Sequence, residues 1–278
     1  MIKLFSTNKL SLSRFLDISK PINDISRTAV SVFDDESISA AINLMLKGTR
    51  RVPVVTRDHH VKGIITTTDI LDLLGAGDKY DLFLKHRRSL NTHVSKFMDT
   101  HVRILESKTA SSEVLENFKN DSSGTYLVVD KKKLVGIVSR WDFMKSVNRP
   151  IGLKVSDIMV KKPFVAKGKY NLFDVSRMMI RGGFRRLPVI DDNIIIGVIT
   201  PFDIIKYLHF TSKLDKLHLE KTHVKDVMNK NVVTIAPDED VYKAVELMKK
   251  NRIGCVFVAE ENNLMGIVTK RDILEVLS

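Results

Sequence analysis

The sequence predicts a mixed α/β (α+β) fold: four copies of one strand-helix-strand-strand-helix unit, paired into two pseudo-two-fold modules. Three observations carry this. The first is a run that returns four times in 278 residues: a Gly ending an apolar strand, a hydroxyl residue three positions on, an Asp three further, then an apolar helix. The copies are Gly63-Ile-Ile-Thr66-Thr-Thr-Asp69, Gly136-Ile-Val-Ser139-Arg-Trp-Asp142, Gly197-Val-Ile-Thr200-Pro-Phe-Asp203 and Gly266-Ile-Val-Thr269-Lys-Arg-Asp272. The second is a matching opening ahead of each run: Val94-Ser-Lys-Phe-Met98, Val155-Ser-Asp-Ile-Met159, Val224-Lys-Asp-Val-Met228 and the more diverged Ile22-Asn-Asp-Ile-Ser26. Opening and run together make a unit of about 55 to 60 residues, longer than the period of a solenoid repeat. The third is an apolar stripe at helical spacing between opening and run, as in Val241, Ala244, Val245 and Met248.

Each element follows in order. After the opening comes a short apolar strand, then the amphipathic helix, marked also by Ile38, Ala41, Ile42 and Met45, by Leu172, Val175, Met178 and Met179, and more weakly by Val114, Leu115 and Phe118. Gly48, Gly182 or Gly183, and Asn251 stand where a left-handed residue closes the helix. The strands Val52-Pro-Val-Val55, Leu127-Val-Val129, Leu187-Pro-Val-Ile190 and Val256-Phe-Val258 follow, each leading through a polar turn to the Gly-bearing strand and the final helix. A unit this small has an apolar face it cannot cover alone, so units should pair. Only Asn148-Arg-Pro-Ile-Gly152 separates units two and three, whereas polar connectors at about 75–92 and 209–222 separate one from two and three from four. The expected organisation is an N-terminal extension at 1–17, whose apolar residues cover part of the first unit, then a module over 18–147 (repeats at about 18–75 and 91–147) and a module over 148–278 (repeats at about 151–208 and 220–278).

Composition narrows the class. Apolar residues make up 44% of the chain, without the run of about 18 that a membrane span needs. The N-terminus is too polar for a signal peptide, which makes a cytoplasmic, soluble protein the expectation. Cys255 is the single cysteine, so an intramolecular disulfide is excluded. The net charge of +12 favours anionic partners: nucleotides, nucleic acid or an acidic protein surface. His59-His60 is the one adjacent histidine pair, and no metal-ligand spacing accompanies it. There is no P-loop and no Gly-x-Gly-x-x-Gly fingerprint, and no catalytic machinery is evident, so the chain is not expected to be an enzyme.

The recurrent trio carries chemistry. A carboxylate can accept from both hydroxyls of a vicinal diol, and bonds to a charged acceptor are worth roughly 1.5–3 kcal/mol each. The hydroxyl residue opens a helix whose free N–H groups and positive dipole end favour phosphate. The same spacing is also that of a capping box, worth about 1 kcal/mol to the helix without any ligand. For one copy both readings stand. Four identical acids, all the shorter Asp, and basic pairs at neighbouring strand ends favour the ligand.

This combination resembles the cystathionine-beta-synthase (CBS) domain, four copies as two tandem pairs or Bateman modules, from about residue 18 to the end. The plan is similar to that of the gamma subunit of AMP-activated protein kinase and its stand-alone archaeal relatives. The resemblance implies a non-catalytic regulatory protein that senses AMP, ADP or ATP in clefts between paired repeats, without a cofactor or metal, acting on an unidentified partner protein and existing as a monomeric disc or a homodimer. It assigns the ribose to Asp142, Asp272, Asp69 and Asp203, and the phosphate to Ser139, Thr269, Thr66 and Thr200 with Arg50, Arg51, Arg185, Arg186, Arg140 and Lys270. It lines the adenine slots with Ser123, Thr125, Ile253 and Cys255. Arginines supplied across each pair make the Asp142 and Asp272 sites the favoured ones, while Asp69 and Asp203 face uncharged Thr125 and Cys255. Trp141 and Phe202 are expected to pack against their helices rather than stack on a base. S-adenosylmethionine or another adenosine derivative is the alternative ligand, and nucleic acid, prompted by the charge, is the alternative partner.

Overall fold

A computed structural model of the protein describes residues 18–86, 89–120, 124–212 and 214–277. The extension expected at 1–17 lies outside them. The first repeat comprises α1 (Ile22–Ile25), β1 (Val32–Phe33), α2 (Ile38–Leu46), β2 (Arg51–Val55), β3 (Val61–Thr66) and α3 (Thr67–Leu71), which runs on as a π-helical turn, Asp72–Ala76. The first connector forms a helix, α4 (Lys79–Lys85). The second repeat opens on a 3-10 turn, Val94–Lys96, and continues through β4 (Ile104–Glu106), α5 (Ser111–Asn120), β5 (Thr125–Asp130), β6 (Lys133–Ser139) and α6 (Arg140–Met144). The third has α7 (Val155–Ile158), β7 (Val160–Lys161), β8 (Ala166–Lys167), α8 (Leu172–Gly182), β9 (Leu187–Asp191), β10 (Ile194–Ile199) and α9 (Pro201–Phe210). A second connector helix, α10 (Lys216–Lys221), leads to the 3-10 turn Val224–Asp226, β11 (Thr234–Ile235), α11 (Val241–Asn251), β12 (Cys255–Glu260), β13 (Asn263–Thr269) and α12 (Lys270–Leu277). The connectors expected to be polar links thus carry helices, because Phe83 and Leu219 give them apolar anchors in the core.

The repeats share one topology. In each, the strand before the crossover helix runs parallel to the strand after it, and that strand is antiparallel to the Gly-bearing one, as in β1-β2-β3 and β4-β5-β6; repeat three adds β7, which pairs antiparallel with β13. Side-chain caps start the crossover helices: Ser37 Oγ accepts from Ala40 N, and Asn171 accepts from Asp174 N. Left-handed residues close two of them as expected of Gly48 and Gly183, but α11 runs through Asn251 and closes on Arg252, at φ 54°. Residues 131–132, 192–193 and 261–262 all have positive φ, forming two-residue hairpin turns whose twist matches that of the strands they join.

The openings exchange places. Ile22 N donates to Thr109 O in repeat two, and Val94 N donates to Glu36 O in repeat one, each at 2.8 Å. Val155 N reaches Glu239 O in repeat four and Val224 N reaches Tyr170 O in repeat three at the same distance. This exchange explains the repeated Gly. A Cβ on Gly63 would lie 2.6 Å from Asp99 O and 2.8 Å from Met98 Sδ; on Gly266 it would meet Met159 Sδ at 2.8 Å, and on Gly197 Met228 Sδ at 2.5 Å. Only a residue without a side chain admits the partner's opening. The Met of one sequence motif and the Gly of the other are two halves of one contact.

Strand exchange joins repeats one with two and three with four, and β10 meets β13 edge to edge. The helices pair differently: α3 packs on α9, and α6 on α12. One core therefore combines repeats one and three with the openings of two and four (Val94, Phe97, Val224), and the other combines repeats two and four with the openings of one and three (Ile22, Val155, Ile158). The apolar helix faces expected to be covered by the neighbouring repeat are covered across the two modules. Among the described residues no helix is long and apolar enough to cross a membrane.

Candidate functional site

All four recurrent corners form at the strand-to-helix junctions, and all four use the capping geometry. One oxygen of each Asp, Oδ2, accepts from the backbone N and the hydroxyl of its Ser or Thr: 2.8 and 2.7 Å at Asp69, 2.9 and 2.9 Å at Asp142, 2.9 and 2.5 Å at Asp203, 2.7 and 2.7 Å at Asp272. The cap reading is therefore true at every corner, and it consumes one oxygen. The second oxygen, Oδ1, is what a ligand would use.

Oδ1 divides the corners into two classes. At Asp142 it accepts from Arg27 Nε at 2.8 Å and Lys145 Nζ at 3.2 Å, with the carboxylate side chain only 1% exposed. At Asp69 it accepts from Lys79 Nζ at 2.5 Å. At Asp203 and Asp272 no hydrogen bond or salt bridge from another described residue reaches it. Burial pushes both of these acids above the usual range, against the pull of their Thr hydrogen bonds and, at Asp203, of the more distant Arg50 and Lys206. Sequence reasoning missed Arg27, Lys79 and Lys145. Of these only Lys145 carried a signal, its i+3 spacing from Asp142.

The basic residues converge as well. Strand register sets Arg51 opposite Thr66, Thr125 opposite Ser139, and Cys255 opposite Thr269. Arg186 reaches from repeat three to repeat four, where a Cβ on Gly254 would fall 2.7 Å from its guanidinium. It also neighbours Lys270, Arg185, Arg50 and Cys255 electrostatically. Arg50, expected to serve the Asp142 site, instead crosses to the other module, with its guanidinium 4.3 Å from the Phe202 ring centre and beside Asp203. Burial and Arg186 lower the pKa values of Arg50 and Arg185. The Lys270 ammonium sits 4.0 Å from the Trp141 ring centre, again across modules. Burial, then Arg186, lowers it to about 8. Trp141 and Phe202 thus each hold a cation from another repeat, beyond the packing role expected of them.

Arg140 sits elsewhere. It is buried, donates to Phe118 O at 2.9 Å, and lies against Gly124, so its charge points into its own repeat. Thr125 and Cys255 are buried and Ile253 is half-buried against the core, while Ser123 lies outside the described residues. Burial also pushes the Cys255 thiol up, away from nucleophilic behaviour. Among the described residues no group of His, Cys, Asp and Glu could hold a metal ion.

The family model for the CBS domain matches residues 22–76, 94–149, 155–210 and 224–278. The chain is 30% identical over 263 residues to protein MJ1225 of Methanocaldococcus jannaschii, spanning 88% of this chain and 94% of that one. The crystal structure of MJ1225, described as a proposed archaeal homologue of the AMPK gamma subunit, superposes with a TM-score of 0.84 at 29% identity, over 93% of this chain and 100% of that one. A 33.4 kDa protein of the ribosomal RNA operon of Thermofilum pendens is 30% identical over 241 residues, 81% of this chain and 79% of that one. A Pyrococcus horikoshii protein shares the fold, with a TM-score of 0.60 at 17% identity over 93% of this chain and all of its own.

Proposed function

The chain belongs to the CBS domain family, and we propose that it is a non-catalytic regulatory protein that binds adenine nucleotides, foremost at the Asp203 and Asp272 corners. The single observation behind this is an Oδ1 on each of these two half-buried carboxylates that no other described residue occupies, set beside neighbouring cations. In this reading Asp203 and Asp272 each accept from a ribose diol. The helix N-termini of α9 and α12 face the phosphate, and Arg50, Arg185, Arg186 and Lys270 neutralise it. Gly254, Ile253 and Cys255 would line the base at the Asp272 corner. Arg50, Arg185 and Lys270 all feel the charge of Arg186, so an anion among these four cations relieves a repulsion that apolar packing cannot. That favours a phosphate-bearing ligand over a neutral adenosine derivative. Likeness to MJ1225 supports the same reading. Occupancy would act as a population shift, since each ligand sits between elements that belong to different repeats.

Calorimetric titration of AMP, ADP, ATP and adenosine tests it. Two tight equivalents of nucleotide are expected, with adenosine weaker. Asp272→Asn and Asp203→Asn should each remove one equivalent, and undiminished binding in the double variant would refute the assignment.

A further inference from the structure

The two corners whose Oδ1 is already engaged are closed in different ways. Asp142 is clamped from two sides, by Arg27 and Lys145, and shut off from solvent. Asp69 is held by one lysine, and both side chains keep contact with water, at 17% exposure for Asp69 and 28% for Lys79. Lys79 lies ten residues beyond Asp69, at the start of the connector helix α4. The equivalent place is Gly152 in the second repeat and Lys213, outside the described residues, in the third, so a cation here is not a constant of the repeat. The Lys79 ammonium is shared with Phe97 O at 3.1 Å, and its own backbone N donates to Asp72 Oδ1 at 2.6 Å. The side chain can therefore leave Asp69 while the helix start stays tied. Gly75, at φ 113°, breaks the helical path just before it.

We propose that Lys79 gates the Asp69 corner, one of the four ribose positions the resemblance assigns, so that it takes a third nucleotide only when the ammonium is displaced. This builds on the proposed function: the two bonds that Asp69 Oδ2 accepts from Thr66 are the same two that Asp203 accepts from Thr200 and Asp272 from Thr269. What sets the Asp69 corner apart from the Asp203 and Asp272 corners among the described residues is an ammonium where the diol would bind. A ligand must displace a charge-assisted bond, which sets this site's affinity about tenfold below its ungated value. Displacement also has a route outward. The next residue of α4, Tyr80, has its ring centre 5.8 Å from Lys216 Nζ on α10, so the gate abuts the connector of the other module.

Titration of AMP into the wild type, Lys79→Met, Lys79→Arg and Asp69→Asn/Lys79→Met tests the gate, with melting curves without AMP confirming that each variant is folded. Methionine keeps the apolar stem and removes the charge. Two tight equivalents and a third about tenfold weaker are expected in the wild type and in Lys79→Arg; three tight equivalents in Lys79→Met; and loss of the third in the double variant. Identical isotherms for the wild type and Lys79→Met, with two equivalents bound, would overturn the gate and leave the functional reading standing. A third equivalent that survives Asp69→Asn would overturn it too, by placing that ligand elsewhere. No binding in any of the four proteins would overturn the functional reading and the gate with it.

Discussion

Replacing Lys270 by Met should stabilise the ligand-free protein while weakening its binding of nucleotide. Lys270 is lowered from 10.5 to about 8 by burial and by Arg186, offset in part by Asp142. A shift of this size corresponds to at most about 3.4 kcal/mol at roughly 1.36 kcal/mol per unit, and loss of the Trp141 contact returns about 1 kcal/mol. The expected net gain at pH 7 is about 1–2 kcal/mol, a rise of about 2–8 °C in Tm. The sign with pH follows from the direction of the shift. Below pH 8 lysine is protonated in both the folded and the unfolded chain, and the whole penalty is present. Between about 8 and 10.5 the unfolded chain binds more protons, so wild-type stability rises with pH and the advantage of the variant shrinks. Denaturant unfolding of both proteins at pH 7 and pH 9.5 measures this. A bound phosphate should restore the lysine proton, so AMP binding at pH 8 should take up a fraction of a proton, visible as a calorimetric enthalpy that depends on the buffer. A variant less stable than wild type at pH 7, or a difference constant with pH, would refute the picture of a strained cation held for an anion.

Two further outcomes follow from the same geometry. Gly63→Ala places a methyl group against Asp99 O, a backbone atom that cannot swing away, so exchange of the openings should loosen at a cost of about 1–3 kcal/mol, read by thermal unfolding. AMP binding should also weaken on acidification at a higher pH than ordinary aspartates would impose, because Asp203 and Asp272 must be ionised to accept two hydroxyls and burial raises both. For stability the sign is opposite to that of a salt-bridged acid: protonation begins first in the folded chain, so these two groups cost the protein stability as pH rises through their range. Titrations from pH 7 downwards check the binding.

The repeat and the four corners are legible in the chain alone. Period-two and helical patterning place each Thr or Ser at the end of a strand and each Asp in the first turn of a helix, and those are local properties of a short run of residues. The caps are legible for the same reason. The Gly and the Met of the exchanged openings also stand out as separate signals, without any sign that Gly136 meets Ser26 or Gly266 meets Met159. Which corners stay open is a matter of packing between the modules. Arg27 and Lys79 stand outside the repeated pattern, Arg50 crosses to Phe202 in place of the neighbouring repeat, and Arg140 turns into its own core. The reason is physical. Capping needs atoms a few residues apart, whereas the partner of a carboxylate's second oxygen is set by whichever long cationic side chain the packed modules bring within about 3 Å, and period and spacing hold no record of that distance.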